Sequence, residues 1–193
     1  MSPSVGLSTH IDDVAALLFS EDLTGVVLVG HSYGGMVATG VADREAGRIA
    51  QIIYLDAFMP EDGQSVLDFH SPEQRESLQE VANVHGAGWL MPPSPLPADL
   101  PAGDAAWLQA RRMPQPLKTF EEPIRLTGAA AGLPRAYVYC TQKGPGDIFA
   151  FFAERARNDP GWRYREIDSG HTPNGTAPDR LADIVDELIA AGG

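Results

Sequence analysis

Gly25-Val26-Val27-Leu28-Val29-Gly30-His31-Ser32-Tyr33-Gly34-Gly35 is the stretch that decides the fold. Its first six residues form a short, β-branched apolar run closed by glycine, the pattern of a parallel strand buried on both faces. Its last six fit G-x-S-x-G at the point where that strand ends and a helix over about residues 34–46 begins. A serine on so sharp a turn sits in strained backbone with its Oγ above the sheet, and flanking glycines give the turn room to close. The helix that follows turns its N-terminal dipole toward that oxygen and favours negative charge there. A Gly-rich dinucleotide turn would read G-x-G-x-x-G, which this stretch does not.

Outward from the elbow, apolar residues Ile11, Val14, Leu17 and Leu18 recur at helical spacing over residues 9–18, with Ser8 or Thr9 as N-cap. Downstream, Gln51-Ile52-Ile53-Tyr54-Leu55 repeats the strand signature and completes a βαβ unit. Residues 58–133 change character, with helical patches near 72–84 and 104–113, a proline tract at 92–97 and no strand signal. They read as a helical insertion over the sheet. Beyond it, residues 135–140 and 162–166 read as strands, 147–157 as a helix, and Thr176-Ala177-Pro178-Asp179 opens a last helix whose apolar stripe includes Leu181, Ile184 and Leu188. The class is α/β: a mostly parallel sheet with helices on both faces and an inserted helical cap.

The chain has 193 residues, enough for one domain, and a net charge of −12. That sign repels phosphate backbones and anionic headgroups, so neither nucleic acid nor a membrane is an expected partner. One cysteine, Cys140, excludes an internal disulfide and suits a reducing compartment. Residues 1–6 have neither a basic nor an apolar leader region, and no apolar run is long enough to span a bilayer, so the expectation is a soluble cytoplasmic protein.

A serine hydroxyl needs a base. Of the five histidines, His171 in Asp168-Ser169-Gly170-His171-Thr172 follows the last strand and precedes the last helix, where this architecture brings a base over the nucleophile. Alternation points His31 to the face opposite Ser32, and His10, His70 and His85 lie on other elements, so packing or solvent is the reading for these four. Two aspartates lie between Ser32 and His171 at carboxyl ends of strands. Asp147, after the 135–140 strand, is favoured as the acid that orients His171, although an Asp there also caps a helix. Asp56, after the 51–55 strand, is the alternative acid. Asp168 shapes the His171 loop, and Cys140 reads as a small buried hydrophobe. No metal or cofactor motif is present, so none of either is expected.

The elbow GHSYGG (30–35), the segment IIYLDAFMPEDGQS (52–65) and the C-terminal SGHTPN (169–174) with APDRLADIVDEL (177–188) resemble bacterial α/β-hydrolase-fold esterases of the branch that also holds plant methylesterases and hydroxynitrile lyases. The resemblance covers nearly the whole chain. It implies that Ser32 attacks an ester carbonyl, that His171 acts as base and then acid, and that an aspartate after the penultimate strand, approximately Asp147, orients it. The lyases carry a lysine directly after the histidine; Thr172 stands here, which favours hydrolysis. The implied organisation is residues 1–57 as the first part of a hydrolase core with the elbow, 58–133 as the cap and 134–193 as the rest of the core.

An oxyanion hole needs two N–H donors, one from Tyr33 and one from a loop after an earlier strand. Only 31 residues precede Ser32, too few for that strand, because a βαβ unit takes about 30 residues or more. The expected fold is thus N-terminally incomplete, with an open apolar edge and activity compromised by the missing oxyanion loop. One donor is worth on the order of 10²–10³ in turnover. Two functions follow. The first is a serine esterase acting through an acyl-enzyme on small, largely apolar esters, with Phe58, Phe69, Trp89, Met91 and Trp107 as pocket walls or as the insertion's own core. The second is a non-catalytic or weakly active hydrolase homologue serving as a binding module, or completed by a partner chain or a homodimer.

Overall fold

The computed structural model describes residues 1–191. In chain order its elements are α1 (Leu7–Ser20), β1 (Val26–His31), α2 (Gly34–Arg44), β2 (Ile49–Leu55), α3 (Pro72–His85), β3 (Leu90–Met91), α4 (Ala102–Gln109), β4 (Gln115–Pro116), α5 (Lys118–Glu121), β5 (Arg135–Cys140), α6 (Ala150–Asn158), β6 (Trp162–Ile167), α7 (Pro173–Thr176) and α8 (Pro178–Ala190). The main sheet has four strands in the order β1-β2-β5-β6, all parallel. Parallel strands are covered by helices on both faces, which is why β2 and β5 read as nearly continuous apolar runs.

Alternation along these strands separates two cores. Ile52, Tyr54 and Tyr137 pack with Met36 and Val41 of α2 and Phe152 and Ala156 of α6. Ile53, Leu55, Ala136, Val138 and Ile167 face the other way and meet Ile184 and Leu188 of α8. Ile184 and Leu188 are fully buried, worth about 1.5–3 kcal/mol each. The sheet is therefore pinned on both faces, and its carboxyl ends, where Ser32, Asp56 and the residues after Cys140 and Ile167 emerge, are held at fixed spacing.

Between β2 and β5 the chain first stays in the main core through Phe58, Met59 and Val66, and it returns there at Ile124. Only the middle of this segment builds a core of its own, from Ala82, Met91 and Leu117. α3 starts with a reciprocal cap in which Ser71 N–H donates to Gln74 Oε1 and Gln74 N–H to Ser71 Oγ, ahead of Pro72. Against the expectation of a strand-free insertion, β3 and β4 form a small antiparallel pair. With two residues each they are too short to show a period of two in the sequence.

The helix ends also differ in detail from the sequence reading. α1 begins at Leu7 behind Gly6, whose N–H donates to Thr9 Oγ1, so Thr9 serves the cap from inside the helix. α8 begins behind Ala177, because Thr176 Oγ1 is taken up by Ser169 Oγ and the Thr172 carbonyl. β1 forms one lateral edge of the sheet. Val29 is 44% exposed there, beside a groove of about 450 Å³ lined by His10, Val14, Leu28, Val37 and Ala38. Among the described residues no helix is long and apolar enough to cross a membrane.

Candidate active site

Ser32 has φ +55°, in the left-handed region where a non-glycine residue is strained. Two backbone bonds hold it there: Ser32 N–H donates to the Leu55 carbonyl at 3.2 Å and Phe58 N–H to the Ser32 carbonyl at 3.2 Å. The elbow is thus stitched to the end of the neighbouring strand. The glycine requirement differs from the motif's face value. A Cβ on Gly30 would lie 2.7 Å from the Gly34 carbonyl oxygen, and one on Gly35 2.2 Å from that of Phe58, whereas a Cβ on Gly34 meets nothing within 4 Å. Gly30 and Gly35 permit the close approach; Gly34 has room to spare.

Asp56 repeats the device at the end of β2. It too has positive φ, +43°, and its N–H donates to the Val138 carbonyl at 2.7 Å. The turn aims a fully buried carboxylate toward the elbow. Burying a carboxylate is costly unless it is paired and hydrogen-bonded, and every group around Asp56 serves that need. Its Oδ1 accepts from Cys140 N–H at 3.3 Å, while its Oδ2 accepts from Lys143 Nζ and lies 2.6 Å from His171 Nδ1.

His171 stands on the loop between β6 and α7, and its Nε2 lies 2.9 Å from Ser32 Oγ. With the carboxylate on Nδ1, the ring carries its proton there and leaves Nε2 free to accept from the serine hydroxyl. Phe149 stacks on the imidazole at 4.8 Å and 11° between planes. Serine, histidine and aspartate therefore form one continuous hydrogen-bonded line across the ends of β1, β2 and β6.

The expectation that Asp147 partners His171 is corrected by this geometry. Asp147 Oδ2 accepts from the Tyr139 hydroxyl at 2.6 Å and Oδ1 from Phe149 N–H at 3.0 Å, with Lys143 Nζ at 3.6 Å. It thus caps the turn leading into α6, which starts three residues later at Ala150. Its carboxylate is consumed before it can reach the imidazole, and the alternative, Asp56, occupies the place. Burial and the Asp147 carboxylate together raise the Tyr139 phenol above its ordinary range.

His31 was expected to face away from the site; instead it braces it. Its Nε2–H donates to the His171 carbonyl at 2.6 Å, with the two rings 4.7 Å apart. Burial lowers its basicity, and the neighbouring His171 adds to this. Strand alternation misplaces it because the regular strand ends at His31. Lys143 escaped the sequence reading altogether, since a lone lysine in a glycine-rich loop carries no spacing signal.

His10 Nδ1 shares a hydrogen bond of 3.0 Å with the Tyr33 hydroxyl, next to the elbow, whereas His70 Nδ1 donates to the Val66 carbonyl. Asp168 accepts from Gln142 Nε2 at 3.1 Å and Thr141 Oγ1 at 3.4 Å, bracing the two loops that flank His171. Cys140 is buried, and burial pushes its thiol up to about 12, which leaves it inert near neutral pH. Phe58 and Phe69 join an aromatic cluster with Phe152, Met91 sits in the insertion's own core, and Trp107 is largely exposed beneath the Arg111 guanidinium. Among the described residues no group of three or more His, Cys, Asp or Glu is placed to hold a metal ion.

Comparison with known proteins agrees with this architecture. Residues 2–184 match the model of the alpha/beta hydrolase family. The chain is 38% identical over 200 residues to a carbendazim hydrolyzing esterase of Nocardioides sp. (strain SG-4G), covering 98% of this chain and 80% of that protein. Among solved structures, it resembles an extracellular alpha/beta-hydrolase from a Paenibacillus species with a TM-score of 0.80 at 24% identity, over 97% of this chain and 81% of that one. A pyrethroid hydrolase of Sphingobium faniae JZ-2 gives a TM-score of 0.71 at 20% identity, over 97% and 79%. With a match over nearly its whole length and an esterase among its relatives, the chain belongs to the alpha/beta hydrolase family.

Proposed function

We propose that the chain is a serine hydrolase of carboxylic esters in which Ser32 is the nucleophile, His171 the general base and acid, and Asp56 the carboxylate that orients the base. The observation that carries this reading is the unbroken line from Ser32 Oγ to His171 Nε2 at 2.9 Å and from His171 Nδ1 to Asp56 Oδ2 at 2.6 Å. As Ser32 Oγ attacks the ester carbonyl, its proton passes to Nε2 and the imidazolium is stabilised by Asp56. Negative charge developing on the carbonyl oxygen is met by the Tyr33 N–H at the positive end of α2. His171 then gives its proton to the leaving alkoxide, forming the alcohol and an acyl-Ser32, and a water molecule activated by the same base releases the acid.

Small, largely apolar esters suit the surroundings. Phe149 covers the imidazole, and the Tyr33 ring, on the residue after the nucleophile, packs against Phe120 at 5.7 Å, so apolar rings lie beside the base and next to the nucleophile. Residues 58–133 supply Phe120 and act as the cap of the site. The test is the reaction with p-nitrophenyl acetate: a burst of p-nitrophenol is expected from the native protein and none from Ser32→Ala. Identical traces would overturn the esterase reading in favour of a binding module.

A further inference from the structure

Lys143 stands apart from the chemistry described so far, yet it touches the centre of it. Its Nζ bonds the same Asp56 oxygen that receives His171 Nδ1, and on its other side it faces Asp147 Oδ1 at 3.6 Å. Its side chain is only 14% exposed. The ammonium lies 5.0 Å from the centre of the Phe149 ring, whose stacking partner is His171, and 5.4 Å from that of Tyr139. We propose that Lys143, clamped between Asp56 and Asp147, is a positioning residue that sets the pH range over which His171 serves as base, with Asp147 as its counterweight.

A carboxylate that shares one oxygen between two cationic donors has less pull left for either, so the ammonium weakens the hold of Asp56 on a protonated imidazole. Asp147 draws the ammonium away and offsets its charge. Among the described residues, His171 meets Ser32 and His31 from the end of β1 and Asp56 from β2; behind Asp56 stand Cys140 from β5 and Lys143, and behind Lys143 stand Asp147 and Tyr139, with Asp168 on the loop of His171 itself. Of these, Asp56, Lys143 and Asp147 form one contiguous charged string, whereas Asp168 is occupied by Gln142 and Thr141. The charge on Lys143 thus bears on the imidazole through the one carboxylate oxygen they share, and the charge on Asp147 bears on it through Lys143.

This inference rests on the triad reading above, and its test separates the two. The ring signals of His171, assigned by their loss in His171→Asn, are titrated by NMR in the substrate-free protein, alongside the pH profile of p-nitrophenyl acetate hydrolysis. Lys143→Met is expected to move the His171 midpoint, and with it the acid limb, to higher pH by about one unit. Asp147→Asn, which keeps hydrogen-bonding capacity toward Tyr139 and Phe149, is expected to move both to lower pH by about half a unit. Lys143→Arg should leave them near the native position. An unchanged midpoint in Lys143→Met, or shifts of the same sign in both neutralising variants, overturns the proposal. Should Lys143→Met fail to fold, the Asp147→Asn midpoint decides alone, and an unchanged or upward one overturns the clamp. If Ser32→Ala keeps full turnover, the triad reading fails although the midpoints are still read; if Ser32→Ala is dead and the midpoints do not move, the clamp alone fails.

Discussion

His171 Nδ1 meets the carboxylate of Asp56, 115 residues earlier in the chain, at 2.6 Å, while Asp147, nearer in sequence and also at the end of a strand, is turned to Tyr139 and Phe149. The two aspartates should therefore respond very differently to the same substitution. Asp56→Asn removes the acceptor that fixes the imidazole tautomer and stabilises its charged form, and kcat is expected to fall on the order of 10³–10⁴-fold. Asp147→Asn, assayed well above the acid limb, should stay within about threefold of the native rate. Steady-state ester hydrolysis at pH 8, with circular dichroism to confirm folding, checks both; equal losses would contradict the assignment.

His31 holds the backbone of the base. Replacing it by Phe keeps a ring beside His171 but removes the donor to the His171 carbonyl, so kcat should drop about three- to tenfold with little change in KM, the worth of one hydrogen bond of about 1 kcal/mol.

The same histidine has a pH signature in stability. Burial lowers its folded-state basicity below the ordinary 6.5, so the unfolded chain takes up a proton first on acidification. The stability His31 contributes is complete above pH 6.5 and is lost as pH falls through the lowered value. The stability deficit of His31→Phe should accordingly be largest near pH 7.5 and shrink below pH 6.5. Urea denaturation at the two pH values measures it, and a deficit that widens on acidification would contradict the account.

The elbow glycines separate just as sharply. Gly35→Ala drives a Cβ to 2.2 Å from the Phe58 carbonyl oxygen, exactly where the turns after β1 and β2 are stitched together; a loss of about 2–3 kcal/mol and of most activity is expected. Gly34→Ala, with nothing within 4 Å and alanine favoured over glycine in a helix, should fold and turn over like the native protein. Denaturant midpoints of the two variants give the comparison.

Much of this was legible in the sequence, for identifiable reasons. The run at Ile52–Leu55 is the buried parallel strand its sequence announces; the run at Val26–Val29 is also a parallel strand but lies at the sheet edge, half-buried with Val29 exposed, because no strand covers its outer side. The elbow and His171 followed from their places at strand ends. The acid was not decidable in the same way. Asp56 and Asp147 both follow strands, and the choice between them rests on where each side chain finds donors: a left-handed turn aims Asp56 at the elbow, whereas the Tyr139 hydroxyl and Phe149 N–H capture Asp147. Long-range side-chain competition of that kind leaves no periodic trace. The same holds for Lys143, and for β3 and β4, whose pairing depends on the insertion closing on itself.

Covalent trapping of the acyl-enzyme checks the assignment of Ser32, His171 and Asp56 at its nucleophile. After rapid acid quench of the native protein with p-nitrophenyl acetate, mass spectrometry of the digested chain should place one acetyl group on Ser32, at a level much reduced in Asp56→Asn and retained in Asp147→Asn. An acetyl group on any other residue, or a Ser32 adduct that depends on Asp147 and not on Asp56, would contradict it.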